Sequence, residues 1–239
     1  MTAFLISGPP GSGKTTALKA LAAERAAGGC SVISVIQPDC GRLPDGTALG
    51  FDLELLASGP AFVELARSAG LISGGHCALY SRILPLARRS SAAGATAAAA
   101  AAGGTLPDPD RARQNWGPFS FDISAFDTAL DFVRAGLGDC GSSPLFIGID
   151  EIGPLELSRK QGLWPVLRLC LDAAAGEQAI GSCQAVGGTA SSRPGSISLA
   201  LCVRPALLSE LSALLGEGGF RVEQRSLPAR AGGAQPTST

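Results

Sequence analysis

The stretch ISGPPGSGKTTALK, residues 6–19, places three glycines, two prolines and a lysine directly after a short apolar run. The apolar run Ala3-Phe4-Leu5-Ile6 has the length and composition of a buried strand. From Lys14 to Ala27 the leucines recur at helical spacing, and Gly28-Gly29 is typical of a helix end. The stretch therefore predicts a strand, a glycine-rich turn and a helix in succession.

Residues 8–15 satisfy the pattern G-x-x-x-x-G-K-[ST] in full, between that strand and that helix. Glycines let successive backbone N–H groups point inward as an anion-binding nest, and the start of the helix adds its positive dipole end. Lys14 would reach the β- and γ-phosphates of a nucleotide, and the Thr15 hydroxyl would bind Mg²⁺. The predicted phosphate-binding residues are Gly8, Pro9, Pro10, Gly11, Ser12, Gly13, Lys14, Thr15 and Thr16.

A second candidate segment is the apolar run Leu145-Phe146-Ile147-Gly148-Ile149, which ends in Asp150 and Glu151. Without polar alternation, the run is typical of a strand covered on both faces of a parallel sheet. Asp150 is predicted to hold Mg²⁺, and Glu151 to orient and deprotonate an attacking water. A base at that position favours hydrolysis of a nucleotide over transfer of its phosphate to an acceptor.

The rest of the chain alternates strands with helices, which predicts an α/β fold with a mostly parallel sheet and helices on both faces. Loops at the carboxyl ends of parallel strands form the ligand crevice of such folds. Strands are predicted over residues 31–36, 48–56, 197–203 and 220–227, the first two joined as a β-hairpin after the first helix. Further helices are predicted over residues 60–69, 122–137, 164–172 and 205–216, with Asp122 or Ser124 as the cap of the second.

Low-complexity sequence interrupts this pattern near residues 88–113 and 173–195. The alanines, serines and glycines there carry too little apolar area to offset the entropy of ordering the chain. Both segments are predicted to be insertions in a single domain that spans residues 1–228, with a disordered tail over residues 229–239.

The composition of the chain limits its expected binding partners and its expected cellular compartment. The formal net charge is −1, so binding to nucleic acid is not expected. No apolar stretch reaches the roughly 18 residues of a membrane span, and the N-terminus does not resemble a secretory signal, which together predict a cytoplasmic protein without membrane contact. Seven cysteines without a C-x-x-C pair and one histidine do not form a zinc pattern.

The motifs GPPGSGKTT, VISVIQP, GFDLELLASG, NWGPFSFDISAF, FIGIDEIGPLEL and LALCVRP occur in the order seen in a known family. The chain resembles the THEP1-like nucleoside-triphosphatases over roughly residues 3–57, 114–172 and 196–227. These are P-loop proteins of the additional-strand, catalytic-glutamate class. The resemblance implies a three-layer fold with a RecA-like sheet and Mg²⁺-dependent hydrolysis of ATP, GTP and other nucleoside triphosphates to diphosphate and phosphate.

That family has a basic segment after the strand that follows the acidic pair, and here it reads Cys202-Val203-Arg204-Pro205. Arg204 is the residue left to sense or stabilise a γ-phosphate, and a solvated arginine at a helix start is the alternative. Two other functions stay open. One is a small-molecule kinase using ATP, and the other is a nucleotide-controlled interaction switch that hydrolyses slowly and binds a protein partner through residues 58–113.

Overall fold

The computed structural model describes residues 1–43, 48–59, 80–89, 113–139, 143–176 and 196–228. Within those ranges the strands are β1 (Thr2–Ser7), β2 (Ser31–Ile36), β3 (Gly50–Ser58), β4 (Tyr80–Arg89), β5 (Arg113–Trp116), β6 (Phe119–Asp122), β7 (Leu145–Ile152), β8 (Ile197–Val203) and β9 (Arg221–Ser226). The α-helices are α1 (Lys14–Ala27), α2 (Ile123–Asp139), α3 (Pro154–Leu157), α4 (Trp164–Ala175) and α5 (Leu208–Glu217), with a 3₁₀ turn over Pro205–Leu207 before α5.

All these strands join one sheet in the order β5-β6-β4-β3-β2-β7-β8-β1-β9. The pairs β2–β7, β7–β8, β8–β1 and β1–β9 are parallel, and the pairs β2–β3, β3–β4, β4–β6 and β6–β5 are antiparallel. The predicted α/β class and the hairpin after α1 are confirmed. The prediction of a mostly parallel sheet is wrong. The sheet is mixed because β4, β5 and β6, which the sequence pattern did not predict, extend the hairpin as antiparallel strands.

Apolar side chains on the two faces of the sheet form two separate clusters. Leu18 and Ala22 of α1 pack with Val32, Ile36 and Phe146 on one face. Side chains of α2, α4 and α5 pack on the other, among them Val133, Leu167 and Leu211. Helices therefore cover both faces, as predicted, and the arrangement is compatible with a three-layer α/β fold.

Gly148 of β7 allows α1 to lie close to the sheet. A Cβ at this position would lie 2.7 Å from Ser34 Oγ and 3.2 Å from Leu18 Cδ1. The glycine in the run that ends in the acidic pair is therefore a packing requirement of the helix that follows the glycine-rich turn.

Most predicted bounds agree with the structure to within a few residues. Asp122 caps α2, since its Oδ1 accepts from the Ser124 backbone N–H at 3.0 Å and from the Ser124 hydroxyl at 2.6 Å. Strand β7 runs to Ile152, so Asp150 and Glu151 belong to it instead of following it. Its ladder with β8 is nonetheless irregular between Ile149 and Ile152.

The predicted helix over residues 60–69 and the tail over residues 229–239 lie outside the described residues. The same holds for most of the two predicted insertions. Where the insertion limits are described, they belong to regular elements: Arg88 and Arg89 end β4, Arg113 begins β5, and α4 continues to Ala175. Among the described residues, no helix is long and apolar enough to cross a membrane.

Candidate functional site

Five parallel strands end at one edge of the sheet, and the segments that follow them lie side by side there. Because β1, β2, β7, β8 and β9 pair in parallel, their carboxyl ends share that edge. The segments that begin there are the glycine-rich loop (residues 8–13), Gln37, the acidic pair of β7, Arg204 and Leu227. The two segments singled out in the sequence thus meet at the edge where α/β folds bind ligands.

The glycine-rich loop folds around the side chain of Lys14. Lys14 is 7% exposed, and its Nζ donates to the carbonyl oxygens of Gly8 at 2.9 Å and Pro9 at 3.1 Å. Gly11 and Gly13 have φ of 75° and 91°, a conformation that glycine adopts without steric penalty. Gly13 is also the N-cap of α1, so the loop leads directly into the positive end of that helix.

The loop is confined at its start and open along its outer side. A Cβ on Gly8 would lie 2.5 Å from Ser12 Oγ and 2.9 Å from the Leu227 carbonyl oxygen, so a larger residue would disturb the loop. The Ser12 hydroxyl is buried and has no hydrogen-bond partner among the described residues. Pro10, Gly11 and Thr16 are exposed, and Pro9 is half-buried.

Thr15 and Asp150 connect the loop to β7. The Thr15 hydroxyl donates to Asp150 Oδ2 at 2.8 Å, and the Gln37 backbone N–H reaches the same oxygen at 3.3 Å. The Gln37 side-chain amide also donates to the Asp150 backbone carbonyl at 3.4 Å. The end of β2 and the start of α1 therefore hold this carboxylate of β7 in place.

Asp150 is 2% exposed, and desolvation by this burial is the main influence on its pKa, which it raises. Hydrogen bonds from Thr15 and from the Cys202 thiol act against that increase. A buried carboxylate next to a hydroxyl is an oxygen donor set of the kind that Mg²⁺ prefers, and a cation would offset the cost of its burial. Thr15 and Asp150 therefore fit a magnesium site.

Glu151 has an unusual backbone conformation for its residue type. Its φ is 58°, and it lies in the irregular part of the β7–β8 ladder. Arg204 Nε donates to Glu151 Oε1 at 3.0 Å, and Arg204 Nη2 forms an ion pair with the same oxygen at 3.0 Å. The structure thus pairs the predicted base with the predicted phosphate-sensing arginine, both partly exposed to solvent.

Glu156 is a buried acid close to the same edge. Its side chain is 4% exposed, and its two oxygens accept from the backbone N–H groups of Gly153 at 2.9 Å and Leu163 at 3.2 Å. Burial raises its pKa to about 7 despite these bonds, and the charge of Glu151 adds to the increase. The sequence predicted no role in the site for Glu156.

Gln37 and Cys202 both contact Asp150, and the sequence did not single out either of them. Gln37 directly follows β2, as Gly8 follows β1, so the rule that ligands bind at strand ends would have identified it once β2 was placed beside β7. Cys202 has no such signal, because a cysteine in an apolar strand is usually a small buried side chain.

Comparison of the chain with known proteins finds no relative. No family model, no curated protein and no solved structure matches the sequence or the fold.

Proposed function

We propose that the chain is a Mg²⁺-dependent nucleoside triphosphatase of the THEP1-like family, which hydrolyses nucleoside triphosphates to diphosphate and phosphate. The observation that supports this most directly is the 2.8 Å hydrogen bond from Thr15 Oγ1 to Asp150 Oδ2. It joins a phosphate-binding sequence pattern to an acidic strand end far along the chain, as a metal–triphosphate site requires.

In this proposal the glycine-rich loop binds the phosphates through its backbone N–H groups, and Lys14 supplies positive charge. The Lys14 ammonium already lies within the loop, bonded to the carbonyls of Gly8 and Pro9. Thr15 and Asp150 would hold Mg²⁺, which supplies charge neutralisation at the phosphate oxygens when bound.

Glu151 is the proposed general base, which takes a proton from the attacking water. Its carboxylate is partly exposed and sits one residue beyond Asp150, where a water next to the phosphates is within reach. Arg204 holds this carboxylate through its Nε and Nη2 groups. Since a guanidinium has five N–H donors, Arg204 is able to bind a γ-phosphate oxygen as well as Glu151.

The order of the strands also supports the proposed class. Strand β8 lies between β1, which precedes the glycine-rich loop, and β7, which contains the acidic pair. An additional strand at that place accords with the additional-strand, catalytic-glutamate class that the sequence resembles.

The test is release of phosphate by the purified protein from ATP and GTP, with and without Mg²⁺ and with no acceptor present. We expect Mg²⁺-dependent release, and Glu151→Gln should lower turnover on the order of 10²-fold while nucleotide binding is retained. Glu217→Gln, which removes an exposed carboxylate from the end of α5, is the control.

Two results would change the proposal. Release that occurs only with an added small-molecule acceptor would favour the kinase. Unchanged turnover of Glu151→Gln would remove Glu151 from the mechanism. The interaction switch depends on residues 58–113, of which 60–79 and 90–112 lie outside the described residues.

A further inference from the structure

The segment after the acidic pair is organised around the Glu156 carboxylate. One oxygen accepts from the N–H of Gly153, which precedes α3, and the other accepts from the N–H of Leu163, which precedes α4. The carboxylate thus closes the chain between β7 and α4 into a loop with a single buried acid at its centre. Both oxygens are engaged in directed hydrogen bonds, so their positions are fixed.

The neighbouring glycine is adapted to this carboxylate. Gly162 has φ of 61°, and a Cβ there would collide with Glu156 Oε1 and lie 2.8 Å from Leu155 Cδ2. Capping of α3 does not account for this arrangement by itself. Helix α3 has only four residues, and the Glu156 side chain also accepts from the Leu163 N–H outside it.

The loop lies next to a residue in an unfavourable conformation. Glu151 has φ of 58°, and Gly153 follows two residues later. Non-glycine residues keep such a conformation only when the surroundings impose it. Before Glu151, the chain is held at Asp150 by the Thr15 hydroxyl. After Glu151, the first side-chain contact to the backbone is that of Glu156 with the Gly153 N–H.

We propose that Glu156 is a positioning residue that holds the backbone of Glu151 in the conformation needed for attack by water. This inference depends on the proposed triphosphatase activity and adds to it a residue that acts through Glu151. Glu156 itself contacts neither the glycine-rich loop nor Asp150 in the described structure. Its loss should therefore lower the rate of the chemical step and leave nucleotide binding intact.

The variant is Glu156→Gln, which keeps the shape of the side chain and replaces one acceptor oxygen by a donor group. One of the two backbone N–H groups then loses its acceptor, and the turn shifts. We expect kcat for phosphate release to fall on the order of 10-fold or more, since small displacements of a reacting group have effects of this size. The KM and the affinity for nucleotide should stay within about twofold, and Glu217→Gln should behave as the unsubstituted protein.

A double-mutant cycle separates this role from a general effect on folding. If Glu156 acts through Glu151, adding Glu156→Gln to Glu151→Gln should produce no further loss of kcat. Independent, multiplicative losses, or an equal loss of nucleotide affinity, would overturn the proposal. Should Glu156→Gln fail to fold, Gly162→Ala crowds the same oxygen and should give the same loss of kcat with unchanged affinity.

The unsubstituted protein distinguishes the two levels of inference. Absence of phosphate release from it would refute the triphosphatase proposal, and the positioning role with it. Normal release from it together with unaltered kcat in Glu156→Gln and Gly162→Ala would refute only the positioning role.

Discussion

Glu156 makes the stability of the protein depend on pH in a direction that can be worked out from its burial. The pKa of this carboxyl rises from 4.5 to about 7 in the folded protein, because burial disfavours its charged form. At about 1.4 kcal/mol per unit, ionising it in the folded state lowers the free energy of unfolding by about 3 kcal/mol. Because the folded-state pKa is the higher one, the favourable contribution is complete below the unfolded value and is lost as the pH rises through 7.

The perturbation is Glu156→Gln, and the measurement is urea unfolding of both proteins at a series of pH values. Glutamine does not titrate, so the pH dependence of the variant's unfolding free energy lacks the contribution of this carboxyl, while the other titratable residues are retained. Between about pH 4.5 and about pH 8.5 the unsubstituted protein should lose about 3 kcal/mol relative to the variant. Glu217→Gln, at an exposed position, serves as the control for removal of a negative charge.

Two outcomes would refute this reasoning. Parallel curves for the two proteins would show that the carboxyl has the same pKa folded and unfolded. A difference of the opposite sign, with the unsubstituted protein gaining stability as the pH rises, would show that the hydrogen bonds from Gly153 and Leu163 outweigh the desolvation.

Two further predictions concern the magnesium site and the packing of α1. Thr15→Val removes the hydroxyl that donates to Asp150 Oδ2. The same hydroxyl is one of the two proposed Mg²⁺ ligands, and loss of a group that holds a metal typically lowers its affinity about 10- to 100-fold. The Mg²⁺ concentration for half-maximal phosphate release should therefore rise about tenfold or more, and an unchanged Mg²⁺ titration would contradict the assigned ligand pair. Gly148→Ala should destabilise the fold by about 1–3 kcal/mol in urea unfolding, because the new methyl meets Ser34 and Leu18. Gly216→Ala is its matched control, since a Cβ there meets nothing within 4 Å, and equal stability of the two variants would refute the close approach of α1 to β7.

Short sequence patterns were sufficient to predict the central part of the candidate site. The strand before Gly8, the helix from Lys14 and the acids at Asp150 and Glu151 each follow from a short stretch of sequence, and the structure places them at one edge of the sheet. The chemical roles assigned to them stay predictions. The contact of Thr15 with Asp150 was implied by the parallel sheet, since parallel strands bring their carboxyl ends together.

Strands β4, β5 and β6 were missed for a physical reason. Strand β4 contains Pro85, which has no N–H to donate and usually argues against a strand. The structure accommodates it beside an irregularity in the pairing of β3 with β4, between Phe51 and Asp52. Short polar strands such as β5 (Arg113–Trp116) carry little apolar pattern of their own and depend on their neighbours for pairing.

The contacts of Gln37 and Cys202 with Asp150 depend on which strands are neighbours, and strand order is not encoded in any short stretch. Gln37 reaches Asp150 because β2 lies beside β7. Cys202 reaches it because β8 lies on the other side. The buried acid at position 156 looks like an ordinary first-turn residue until Leu163 is seen to donate to it.

The pairing of β1 has a consequence for the way the molecule is made on the ribosome. β1 and the glycine-rich loop are synthesised well before β8 and β9, yet Thr2 pairs with Ser198 on one side and with Arg221 on the other. The nascent β1 must wait without its partners until β8 and β9 have emerged, and contacts so distant along the chain form slowly. The sheet edge where the glycine-rich loop meets Asp150 is consequently completed only after β8 and β9 have been synthesised. A premature stop before β8 would leave the apolar β1 without its partner strands and accessible to chaperones and proteases.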